Sequence, residues 1–285
     1  MRIRSALPDL DRDFSFERMR STLLATRVSR VILVAAAQQE DQNARLVEIA
    51  KKNPDLVVGV IGWLDVEARD FELRVRAFAA DPIWLGIRLP LTIHDDRRYV
   101  LRPEVRRALA TLRAHGAIAE FLVGPDQLID VATLLSELPG LRAVLDHAGN
   151  PDFSTPPRQD WRRDLAALAS LPDVVCKISN FWMPGDPPVR DEIALAFFRE
   201  VVAAFGATRT IAGANWPPSG LAGPYEASWD RIDRLFAAAA VGSDAARAIL
   251  FDNADGFFRT EQARKKSKPA RPSICSPSAP TGQFE

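Results

Sequence analysis

Several things are scarce in this chain of 285 residues, and each scarcity removes a class of protein. There are 2 cysteines, Cys176 in an apolar run and Cys275 in a polar one, so neither a disulfide framework nor a paired-cysteine metal site is available. No stretch approaches the roughly 20 apolar residues of a membrane span. The opening MRIRSALPDLDRDF has no apolar leader segment, and a cytoplasmic location is expected. Net charge is zero, 37 basic residues against 37 acidic, so the broad positive field of a nucleic-acid or membrane-surface binder is missing. HExxH and His-x-His pairs are absent, which argues against a tight metal site. So are GxSxG, GxxxxGK[ST] and GxGxxG, which sets aside serine hydrolases, nucleotide triphosphatases and dinucleotide enzymes; no cofactor is expected.

What is present is alternation. Runs rich in Val, Ile, Leu and Ala occur at Val28–Ala36, Leu56–Leu64, Trp84–Leu89, Ala117–Val123, Leu141–Asp146, Val174–Ser179 and Thr208–Gly213. Between them lie helical patterns such as ARLVEIAKK, PEVRRALATLRAHG and IALAFFREVVAAFG, several closed by Gly or Pro. Continuous apolar strands imply a parallel sheet covered on both faces, and regular alternation over most of the chain suits a closed barrel. The expected fold is α/β, a distorted (β/α)8 TIM barrel over residues 1–259. Before a helix predicted at Phe16–Thr26 there is only a polar segment that makes a poor strand. The first strand is therefore expected to be missing, or vestigial at Met1–Ala6, with the barrel open at that edge. An open edge would favour a homodimer that covers it. Residues 260–285, rich in Pro, Ser and Lys, are expected to be a disordered tail.

In a parallel barrel the residues just after each strand converge on one mouth. Here they are Gln38, Asp65, Arg88, Glu120, Asp146, His147, Lys177, Asn180, Asn215 and Trp216. Of the 3 histidines, His94 lies in a polar loop and His115 at a helix end, so only His147 follows a buried strand. Arg88 interrupts an apolar run, where an unpaired guanidinium is costly, so it needs either a ligand carboxylate or an internal partner such as Glu120. Glu120, between Ala119 and Phe121, is a candidate general base if it points inward, or else the counter-ion of Arg88 or Lys177. Lys177 in turn either orients a substrate oxyanion or neutralises Glu120.

The segments VLDHAGNPD, VVCKISN and TIAGANWPPS, in that order, resemble signature segments of the amidohydrolase-related proteins of the amidohydrolase superfamily, its lactonases and dicarboxylate-lactone hydrolases in particular. VSRVILVAAAQQEDQN, VVGVIGWLDVE, LGIRLPL and ILFDNADGFFR extend the resemblance over about residues 7–259. It implies a distorted TIM barrel and a hydrolase that adds water to a lactone-type carbonyl. In that family a His-x-His pair ends the first strand, a later histidine polarises the scissile carbonyl, and an aspartate in Ser-Asp-Trp-Pro activates water. By this resemblance His147 is the polarising histidine, Arg88 holds a substrate carboxylate or ring oxygen, and Trp216 shapes the pocket wall. Lys177 and Asn180 join the substrate-binding set. The chain departs from the pattern twice: Asn215 stands where the aspartate belongs, and no strand carries His-x-His.

An amide takes no proton from water, so the implied hydrolase is expected to be weak or inactive, with Asn215 only positioning water and Glu120 as a substitute base. The alternative is a non-catalytic barrel that binds a small carboxylate or lactone. A metal-dependent decarboxylase would need ligands this sequence lacks, and a start upstream of Met1 would supply the absent strand.

Overall fold

The computed structural model describes residues 15–181 and 189–259. The segment 1–14, with its candidate strand at Met1–Ala6, and the tail 260–285 lie outside the described residues.

Seven strands follow the seven apolar runs: β1 Val31–Val34, β2 Val57–Gly62, β3 Trp84–Pro90, β4 Ile118–Leu122, β5 Ala143–Leu145, β6 Val174–Ile178 and β7 Thr210–Ala212. All pair in parallel and in chain order. Because adjacent parallel strands need a crossover, a helix separates each consecutive pair. These are α1 Phe16–Leu24 ahead of β1, α2 Asp41–Lys52, α3 Phe71–Ala79, α4 Pro103–Ala114, α5 Leu128–Ser136, α6 Gln159–Ala169 and α7 Asp191–Phe205. After β7 come α8 Tyr225–Ala238, α9 Ser243–Arg247 and α10 Asn253–Phe258.

Local chemistry sets the helix ends. Ser15 accepts a hydrogen bond from the Arg18 amide and caps α1, and Pro103 opens α4 at a position where a missing N–H costs nothing. Gly206, at φ 71°, stops α7 in a conformation that a side chain would resist.

The strands curl into a half-barrel of the TIM type. On the convex face the helices bury a large core that includes Ile87, Leu109, Phe121, Leu168 and Phe197. The concave interior holds a smaller cluster, Ile61, Leu85, Ile118, Val144, Val175 and Ile211, with Phe258 of α10 packed against it. β1 and β7 are the end strands and do not pair with each other; no eighth strand occurs among the described residues. The expected first-strand gap is thus the space between these two edges. Every residue of β1 is only half-buried, whereas β3 to β6 are mostly buried. Among the described residues, no helix is long and apolar enough to cross a membrane.

Candidate functional site

Sheet register builds the first part of the site. Arg88 of β3 pairs in register with Glu120 of β4, so both side chains leave the same face of the sheet. Lys177 of β6 and Asp146, just after β5, reach the same level. Arg88 Nε donates to Glu120 Oε1 at 2.9 Å, and its Nη2 lies 2.8 Å from that oxygen and 2.9 Å from Asp146 Oδ2. Lys177 Nζ donates to Glu120 Oε2 at 2.6 Å and lies 3.0 Å from Asp146 Oδ1. Two cations and two carboxylates therefore alternate in a closed ring.

Both carboxylates are fully buried, and both cations are about 15% exposed and line the cavity. The ring is neutral overall but presents its positive end to the cavity. Burial pushes the Asp146 carboxyl up, yet Arg88 and Lys177 outweigh it and hold the group below the usual carboxylate range. Burial likewise pulls Lys177 down, and Asp146 with Glu120 more than compensates. The internal pairing of Arg88, one of the two readings open from sequence, is what the structure shows. Glu120 has both oxygens engaged, which makes it a counter-ion and leaves little room for a general base.

His147 follows Asp146 on a left-handed turn. Its φ is 53°, Ala148 is at 52°, Gly149 at 76° and Asn150 at 47°. Left-handed residues other than glycine cost about 1–2 kcal/mol each, so the surroundings must hold this turn. The Asn150 amide donates to His147 O at 2.9 Å, and Trp161 Nε1 donates to Ala148 O at 3.0 Å. The imidazole is buried and its pKa is pushed down to about 3, first by desolvation and then by Arg88 and Lys177, against the opposing pull of Glu120. It is neutral at physiological pH. Its Nδ1 lies 2.6 Å from Ser179 Oγ, which is buried and has no other hydrogen-bond partner among the described residues. When the Ser179 hydroxyl donates to Nδ1, the neutral ring carries its proton on Nε2.

The rest of the mouth is amide-rich. Asn215, at φ 54°, donates through Nδ2 to Asn180 Oδ1 at 2.7 Å, and Ser219 N donates to the Asn215 carbonyl at 2.9 Å. Trp216 follows and lines the same cavity, which has a volume of about 2330 Å³. Arg88, His147, Lys177, Asn180 and Asn215 also line it, and it runs along the facing edges of β1 and β7. Gln38 lies on its wall. Asp65 does not; its carboxylate accepts from the Glu67 amide instead. His94 stacks on Tyr99 with ring centroids 3.5 Å apart, away from the charged ring. Two contributors had no assigned role from sequence, Ser179 and Asn150. Both sit inside the quoted motifs, in KISN and DHAGN, where polar residues break an apolar strand.

A family model described as amidohydrolase matches residues 2–260. The chain belongs to this amidohydrolase family. Its curated relatives include an L-fucono-1,5-lactonase from Burkholderia ambifaria, 28% identical over 253 residues, which cover 88% of this chain and 87% of the relative. Among solved structures, an amidohydrolase from Burkholderia multivorans with bound zinc superposes with a TM-score of 0.81 at 26% identity, covering 88% of this chain and 90% of the other. A probable 2-pyrone-4,6-dicarboxylic acid hydrolase from Acinetobacter baumannii, with citric acid bound, shares the fold at a TM-score of 0.70 and 19% identity, covering 87% of this chain and 92% of that one.

Zinc in one relative prompts the question of whether this amidohydrolase could hold it. Among the described residues, no three His, Cys, Asp or Glu side chains come together as a metal site requires. His147 Nδ1 is taken by Ser179, and Glu120 and Asp146 are taken by the two cations. These donors do not fit a resident zinc, and no step below runs through one.

Proposed function

We propose that this amidohydrolase adds water to small lactones, or related carbonyl C–O bonds of sugar acids and small carboxylates, with low turnover. One observation carries the reading: a neutral imidazole, its Nδ1 paired with the Ser179 hydroxyl, is fixed beside two largely buried cations at the mouth of a large cavity. A lactone carbonyl oxygen placed there accepts a hydrogen bond from His147 Nε2. As water adds to the carbonyl carbon, the negative charge growing on that oxygen meets the positive end of the ring formed by Arg88, Lys177, Glu120 and Asp146. This is electrostatic stabilisation by groups already in place. The ring C–O bond then breaks, and the departing ring oxygen takes up the proton that water gave up, by way of solvent.

Neither of the two candidate bases receives that proton. Asn215 is an amide, and Glu120 is held by two cations, so the site forgoes the roughly 10²–10⁴-fold that a general base contributes. The lactonase named among the relatives supports the reaction class, Trp216 is assigned to enclose the substrate, and Arg88, paired internally, acts on it through the field of the ring. A second reading, a barrel that binds a lactone or carboxylate without turnover, is favoured by Asn215 itself. Base-uptake assays on a panel of sugar and dicarboxylate lactones separate the two. Turnover above the uncatalysed rate that disappears in His147→Ala supports the hydrolase, and binding with no turnover supports the second reading.

A further inference from the structure

Asn150, Asn180 and Asn215 stand just beyond three successive strands, and all have positive φ, at 47°, 67° and 54°. Among residues with a side chain, asparagine is the one that tolerates this region best. Their amides form a line. Asn215 Nδ2 donates to Asn180 Oδ1 at 2.7 Å, Asn180 Nδ2 donates to Asn150 Oδ1 at 3.3 Å, and Asn150 Nδ2 donates to the Val123 carbonyl at 2.9 Å.

The direction of this line is fixed at its anchor. A backbone carbonyl only accepts, so Asn150 must turn its NH2 toward Val123 and its oxygen toward Asn180. That oxygen also only accepts, which turns the Asn180 NH2 toward it and the Asn180 oxygen toward Asn215. Asn215 consequently commits Nδ2 to Asn180, and its Oδ1 is left over; none of the described residues donates to that atom. All three asparagines line the cavity. Each bond in such a line polarises the next, so the terminal oxygen is a stronger acceptor than that of a lone amide.

We infer that Asn215 Oδ1 is a fixed acceptor for a ligand hydroxyl, with Asn180 and Asn150 as positioning residues. That the ligand is a lactone rests on the function proposed above; the hydroxyl does not. An amide turned the other way would offer N–H and select a carbonyl or carboxylate oxygen. The line of asparagines forbids that orientation. A ring lacking the hydroxyl leaves Oδ1 unpaired, so discrimination of up to about tenfold is expected from this contact.

The test is calorimetric titration with a panel of 1,5-anhydrohexitols, which are hydroxylated and cannot be hydrolysed, against tetrahydropyran, which has no hydroxyl. Wild type, Asn180→Gly and Asn180→Asp are compared. Glycine removes the amide at a backbone position it adopts without strain, which protects the fold. Aspartate keeps an acceptor for Asn215 Nδ2 and so keeps Asn215 oriented. The expected result is a roughly tenfold preference for a hydroxylated ring in wild type, retained in Asn180→Asp and lost in Asn180→Gly. Equal binding of the two ring types, binding of neither, or a preference unchanged in Asn180→Gly overturns the inference. Hydrolysis of a hydroxylated 1,5-lactone, measured alongside, separates the two proposals. A hydroxyl preference without lactone opening leaves this inference standing and removes the lactonase reading, and lactone opening without the preference does the reverse.

Discussion

The two sides of the half-barrel are built differently. On the side of β3 to β6, every polar side chain that enters the interior is matched: Arg88 and Lys177 find Glu120 and Asp146, and the carboxylates are wholly buried. On the side of β1 and β7, the outer strand edges are unpaired among the described residues, and the loop after β7 brings Asn215 to the cavity wall. The first side supplies a fixed electric field, and the second presents at residue 215 an amide, which takes no proton from water. On the proposed reading, polarisation belongs to one half, and the other half gives no proton transfer at that position. Stabilising charge and transferring protons are separable parts of hydrolysis.

The contrast sharpens most if the missing base is restored. Asn215→Asp is expected to raise lactone turnover by about 10²–10⁴-fold, since it places a carboxylate on the weak side without disturbing the charged ring. Initial rates under matched conditions check it, and an unchanged rate would mean that the polarising side is not poised for catalysis.

Breaking the matched side should instead show in stability. Lys177→Met or Arg88→Met leaves buried carboxylates short of a cation, and each is expected to cost about 3–5 kcal/mol in urea unfolding. Lys177→Met combined with Glu120→Gln should cost less than the sum of the single changes, because the four groups act as one network.

A smaller effect is expected from pH. His147 is held near 3 in the fold, so between about 6.5 and 3 the unfolded chain binds a proton that the native chain refuses. Stability therefore falls as pH drops through that window. Asp146, held below its ordinary value, adds to the loss at the acid end. The urea midpoint followed from pH 7 to pH 4 should decline less steeply in His147→Gln than in wild type.

All seven strands could be read from the sequence because each is a largely apolar run, the mark of a strand covered on both faces. The runs at the open edge promised more than the fold delivers. Val28–Ala36 contracts to Val31–Val34 and Thr208–Gly213 to Thr210–Ala212, and the central run Leu141–Asp146 contracts likewise to Ala143–Leu145. The Arg88–Glu120 pair was legible as one of two options, because a guanidinium inside WLGIRLP has to find a carboxylate. Closure of the ring through Asp146 was not, for it depends on register across four strands. The Nδ1 partner of His147 was hidden for a similar reason: it is Ser179, a residue from the next strand's end that carries no signal of its own. The asparagine line was least legible, as positive φ and amide direction emerge only when three separate loops meet.

The central claim is that a neutral His147, backed by two buried cations, polarises a lactone carbonyl at this mouth. The most direct measurement is the rate of opening of six-membered sugar lactones by wild type and His147→Ala, with Asn215→Asp as a more active background for the same substitution. The account predicts turnover in wild type, more in Asn215→Asp, and loss to the uncatalysed rate whenever His147 is removed. Turnover that survives His147→Ala in either background would contradict it.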